Sequence, residues 1–244
     1  EKPEEKEKKE KPEEKEKPID IVYYDNDDYF DLQILQLPVR KHNKKKIRYK
    51  RPVDKRLPNI DLGVNMVLCS NSKLNNSTLI ANLLENSQFY KGYFSNIYLF
   101  GQNNLKSLNQ IYKMYSETSF NTITNELLTD ISDKIVNTSK NASMIFDHCN
   151  NYKKLTKLLN ISSNFRSILN SKKGGGMLLI SDTSYHTIPQ RLRNSANTFV
   201  IGKLTDEDYQ LIADDIGDLF SSSEELLLNI KKNIVHENDY LILM

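Results

Sequence analysis

Met66-Val67-Leu68-Cys69-Ser70-Asn71-Ser72-Lys73-Leu74-Asn75-Asn76-Ser77-Thr78-Leu79-Ile80 runs from an apolar strand, through a polar loop, into an apolar helix that Ser77 or Thr78 would open. That is the layout of a phosphate-binding loop, whose working form reads G-x-x-x-x-G-K-[ST]. Ser70 and Asn75 stand where the glycines belong, and Asn76 stands where the lysine belongs. The glycines let backbone N–H groups turn inward on a phosphate, a curvature that costs residues with a Cβ. Asn tolerates positive φ better than most, so Asn75 is a mild replacement. Asn76 is a graver one, because a short neutral amide makes no charge-assisted contact to phosphate. Lys73 lies within the loop and is the candidate substitute cation; Ser77 keeps a hydroxyl suited to magnesium.

Outward from this stretch, strand-like and helical patterns alternate. Apolar runs at 94–100, 143–147, 177–180, 199–201 and 240–243 read as strands. Apolar spacing of three and four predicts helices at 78–86, 105–115, 122–138, 151–170 (with a break near Ser162-Ser163), 205–219 and 222–233. Such alternation predicts an α/β fold, P-loop NTPase-like, with a mostly parallel sheet and helices on both faces. Ligands then bind at the carboxyl ends of strands. Ser70–Ser77, Asp147 and Thr183 fall at such ends, with Asp147 expected on a strand beside the first. An acid after an apolar strand commonly holds magnesium; His148 follows Asp147 as a candidate base or a plain surface residue. Gly174-Gly175-Gly176 reads as a flexible turn into a buried strand, since neither lysine nor a helix start follows.

The first 57 residues have another character. Residues 1–18 are only Glu, Lys and Pro, which bury nothing, so they read as a disordered tail. Residues 19–57 form an extension that is acidic first and basic afterwards, and residues 58–244 the globular unit. Residues 39–56 hold ten Lys or Arg against one acid. Either this run is a solvated block neutralised by the aspartates before it, or Arg40, Lys41, Lys44, Lys45, Lys46, Arg48, Lys50 and Arg51 meet nucleic-acid phosphates. Tyr23, Tyr24, Tyr29 and Phe30 suit an edge strand or a docking patch. No apolar run of 18 residues is present, so no membrane span is expected. The charged start carries the expectation of no signal peptide. Cys69 and Cys149 lie in apolar runs, which points to free thiols in a reducing compartment. With four scattered histidines, zinc is not expected.

The order of motifs resembles the viral DNA-packaging ATPases of the FtsK–HerA type. It comprises the loop, Ser77-Thr78-Leu79-Ile80-x-Asn82-Leu83-Leu84, Phe94-x-x-Ile97-Tyr98-Leu99-Phe100, Ile145-Phe146-Asp147, and Pro189-x-x-x-Arg193-x-x-x-Asn197. The resemblance spans roughly residues 58–244. It implies ATP and magnesium as cofactors, held by Ser70, Asn71, Ser72, Lys73, Asn75, Asn76, Ser77 and Thr78, with Ser77 and Asp147 on the metal. It implies Asp147, His148, Thr183 and Arg193 in the catalytic positions, Thr183 standing where the family has a glutamine. It further implies DNA and viral assembly or packaging proteins as partners, a ring of like or unlike subunits, and a place in the infected cell's cytoplasm or the virion. The departures at Ser70, Asn75, Asn76, His148 and Thr183 point to weak or absent hydrolysis on a preserved scaffold. An active translocase subunit and a nucleic-acid-binding module without NTPase role are the alternatives.

Overall fold

A computed structural model describes residues 33–36, 57–60, 63–101, 118–137, 141–149, 156–171, 175–220 and 222–244. The acidic block with its tyrosines, the basic run 39–56 and the helix expected at 105–115 lie outside these residues. Eight strands form one sheet: β1 (Gln33–Gln36), β2 (Val64–Cys69), β3 (Asn96–Gly101), β4 (Ser119–Phe120), β5 (Ala142–Asp147), β6 (Gly176–Asp182), β7 (Thr198–Ile201) and β8 (Asp239–Leu243), in the spatial order β1-β8-β7-β2-β6-β5-β3-β4. Six of them, from β7 to β4, run parallel. β8 lies antiparallel to both β7 and β1. The expected mostly parallel α/β sheet is therefore present.

Central parallel strands are covered on both faces, so they carry continuous apolar runs. Every residue of β2 and of β5 is buried. Alternate side chains feed two cores. One packs Val67, Phe146, Ile180 and Phe199 against α2 (Asn125–Val136), α3 (Thr156–Ser171), α5 (Asp206–Ile216) and α6 (Ser223–Asn233). The other packs Met66, Leu68, Ile145 and Val200 against Leu79, Ile80, Leu83 and Leu84 of α1 (Lys73–Glu85).

Three details depart from the sequence reading. First, α1 opens at Lys73, not at Ser77 or Thr78. Ser72 is its N-cap, its Oγ accepting from the Asn75 N–H at 3.2 Å. Without glycine between 70 and 78, nothing holds the chain out of the helix, and a good cap sits one turn early. Secondly, α3 shows no break at Ser162-Ser163. The Ser163 Oγ donates to the Leu159 carbonyl at 2.9 Å, which satisfies the hydroxyl within the helix. Thirdly, the short strands β1 and β4 and the one-and-a-half-turn helix α4 (Gln190–Ser195) carry too few residues for a period to show.

Candidate functional site

The register places Cys69 of β2 opposite both Asp182 of β6 and Ile201 of β7, and Asp147 of β5 opposite Ser181 and Gly101. Ser70, Asp182, Asp147 and Gly202 consequently gather at the carboxyl edge of the parallel strands. Asp147 is not on the strand next to β2, as expected, but one further, with β6 between. The gap is bridged from above: on α1 the Ser77 Oγ donates to Asp147 Oδ2 at 2.8 Å. The hydroxyl and the carboxylate named for magnesium are therefore in direct contact.

Asp147 is 5% exposed. Burial raises its pKa above the usual carboxylate value, although the neighbouring His148, the hydrogen bond from Ser77 and the nearby Ser181 work the other way. Asp182 moves in the opposite direction. Burial acts to raise its pKa but is outweighed by the attraction of His148, the hydrogen bond from the Thr183 N–H and the nearby Thr187, so it stays below the usual range. His148 lies between the two, its Nε2 3.4 Å from Asp147 Oδ1 and its Nδ1 4.0 Å from Asp182 Oδ1. Its φ of 50° is left-handed, a rare state for a residue with a Cβ. Its N–H donates to the Ser181 carbonyl at 2.9 Å, holding that turn against β6.

The loop itself is closed. The Asn71 N–H donates to the Lys203 carbonyl at 2.7 Å, and the Asn76 N–H to the Ser72 carbonyl at 3.1 Å. Together with Asn75, three N–H groups of the expected cradle are committed to the protein. The Asn76 side chain, fully buried, accepts from Ser70 Oγ at 2.6 Å and donates to the Asp182 carbonyl at 2.9 Å. Tyr240 of β8 approaches the same hydroxyl, OH to Ser70 Oγ at 3.4 Å. Lys73, the substitute cation, is exposed on the first turn of α1. Thr78 spends its hydroxyl on the Leu74 carbonyl at 2.7 Å. The residues present offer magnesium two oxygen ligands, from Ser77 and Asp147. They do not fit a triphosphate, whose cradle is wound into the helix and sealed by Asn76. Among the described residues no group of three His, Cys, Asp or Glu could hold a metal.

The remaining predicted residues are placed as follows. Thr183 adjoins the edge, its N–H donating to Asp182 Oδ1 at 2.7 Å. Arg193 turns inward. Its Nε is 2.8 Å from Asp215 Oδ2 of α5, and its guanidinium lies 4.8 Å over the Tyr185 ring. Arg193 is thus paired with Asp215. Asp208 was missed. It accepts from Ser184 Oγ at 2.8 Å and from the Tyr185 and His186 N–H groups at 3.0 and 3.1 Å, fastening the loop after β6 to α5. Its signal was a capping pattern, Thr205-x-x-Asp208. Tyr240 carried no signal, since its role is set by a contact 170 residues away.

No family model matches the chain, and no characterised protein matches it in sequence. Among solved structures it is similar to B204, the DNA-packaging ATPase of Sulfolobus Turreted Icosahedral Virus, at 12% identity, over 72% of this chain and 90% of that one, with a TM-score of 0.45. It is also similar to the genome packaging NTPase B204 of Sulfolobus turreted icosahedral virus 2 in complex with AMPPCP, at 14% identity, over 75% and 92% of the chains, with a TM-score of 0.45. The same protein in complex with AMP gives 12% identity, 73% and 91% coverage, and a TM-score of 0.41.

Proposed function

We propose that this chain is a non-hydrolysing relative of the viral DNA-packaging ATPases, acting in virion assembly or genome packaging through contacts with other assembly proteins and with DNA. One observation carries the reading. Between β2 and α1 the N–H groups of Asn71, Asn75 and Asn76 donate to acceptors within the protein, while the Ser77 hydroxyl contacts Asp147. The order of motifs supports the viral packaging assignment. The basic residues Arg40 to Arg51 are the proposed DNA contact. They follow in sequence on β1, whose last residue, Gln36, pairs with Asp239.

A second reading, an active translocase subunit, is favoured by the Ser77–Asp147 contact alone. Hydrolysis of Mg·ATP by the full chain, with and without double-stranded DNA, separates the two. No turnover above that of Asp147→Ala is expected. Turnover that Asp147→Ala abolishes would establish the active subunit. DNA binding is expected to weaken with rising salt, and deletion of residues 39–56 to flatten that dependence. Unchanged binding would remove the basic run from the proposal.

A further inference from the structure

We infer that Asn76 is an internal substitute for a bound phosphate, tying the ends of β2 and β6 together from within, so that the carboxyl edge holds one closed arrangement without nucleotide. This rests on the site being closed to phosphate, as proposed above, and adds what closes it.

The amide's orientation follows from its partners. The Asp182 carbonyl can only accept, so the atom 2.9 Å from it is the nitrogen, and the oxygen faces the Ser70 hydroxyl at 2.6 Å. The nitrogen also reaches the Ser70 carbonyl at 3.4 Å. Both ends of the amide are therefore bonded. That matters because a buried polar group left unpaired costs about 1–3 kcal/mol. Ser70 is itself fully buried, and its hydroxyl meets Tyr240, which extends the tie to β8. A single side chain of α1 thus connects three strands, β8, β2 and β6.

Electrostatics favours a neutral group at this position. Asp147 and Asp182 face the same edge, and the loop's one lysine, Lys73, is exposed. A phosphate here would add negative charge beside two carboxylates without a buried lysine in the loop to answer it, and like charges in a low-dielectric site repel strongly. The carboxamide supplies an acceptor and a donor with no net charge. The tie also reaches the loop after β6. The Asp182 carbonyl, held by Asn76, precedes the segment 183–187 that Asp208 clamps from the other side.

Hydrogen exchange followed by mass spectrometry on the full chain tests this. Asn76→Ala is expected to speed exchange by roughly tenfold, the scale of one or two lost hydrogen bonds, in both segments 69–74 and 182–188. Thr78→Ala, on the same helix turn but outside the tie, is expected to leave 182–188 unchanged. Should Asn76→Ala not fold, Asn76→Asp keeps an acceptor for Ser70 and loses the donor to Asp182, so faster exchange at 182–188 is again expected. Millimolar Mg·ATP is expected to leave the wild-type melting temperature unchanged. Unaltered exchange at 182–188 in the Asn76 variants overturns the tie, whereas a rise of several degrees with Mg·ATP overturns the closed site on which it rests. ATP turnover, by contrast, would overturn the proposed function while the exchange data still judged the tie.

Discussion

Gly202 shows how little room the carboxyl edge leaves. A Cβ there would stand 2.7 Å from the Ser70 Cβ and 2.8 Å from the Tyr240 ring. Neither neighbour can retreat freely. Ser70 is bonded to Asn76, and Tyr240 lies in β8 at 1% exposure. The Gly202 N–H donates to the Cys69 carbonyl at 2.7 Å, so the backbone is pinned as well. Gly202→Ala is expected to cost about 1–3 kcal/mol, the range for overpacking a filled site, read as a lowered urea midpoint with an unchanged slope. A variant as stable as wild type would mean that the Ser70–Tyr240 contact is looser than described. Glycine is needed here for close approach. No such need attaches to the positions of Ser70, just after β2, and Asn75, within α1.

At the scale of elements, the loop after β6 and the helix α5 behave as one unit. Asp208 lies in the first turn of α5 and is 3% exposed. It accepts from two loop N–H groups and from Ser184 Oγ, while its own N–H donates to the Thr205 cap at 3.2 Å. Arg193 and Asp215 make a second link, between α4 and the last turn of α5. Asp208→Ala leaves the loop donors without an acceptor, and a loss on the order of 3 kcal/mol is expected from several charge-assisted bonds. Limited proteolysis should then cut within 183–188 before any other described loop. Cleavage elsewhere first would show that the clamp is not what orders the segment. The catalytic roles expected of Thr183 and Arg193 look different in this light, since both residues are engaged in holding the loop and α4 in place.

The whole molecule buries several phenols. Burial pushes Tyr240 up to about 12, even though a hydrogen bond with Ser70 pulls it down. Burial likewise raises Tyr90, Tyr98, Tyr185 and Tyr209. A group whose pKa is raised on folding supports the folded state in its protonated form. Its contribution is complete below the ordinary tyrosine value of about 10 and is lost as the pH rises through the raised value. The melting temperature is therefore expected to fall steeply above about pH 10. Tyrosinate absorbance from the buried rings should appear together with loss of far-ultraviolet circular dichroism. Complete ionisation with the dichroism intact would contradict the burial. The two packed cores set this behaviour, as the central strands β2, β5 and β6 are roofed on both faces.

Much of this was legible from residue order, because it depends on local pattern. Apolar runs such as Met66–Cys69 and Met144–Phe146 announce strands buried on both faces, and the spacing of Leu79, Ile80, Leu83 and Leu84 announces a helix with one roofing face. The substitutions at Ser70, Asn75 and Asn76 are visible at once beside the pattern of a phosphate loop. What those substitutions become depended on contacts between distant residues. Asn76 meets a carbonyl 106 positions away, Tyr240 meets Ser70 across 170, and Arg193 pairs with Asp215. Sequence spacing encodes which face a side chain takes along its own element. Only the packing of elements decides which groups from separate elements share a buried space and must satisfy one another there.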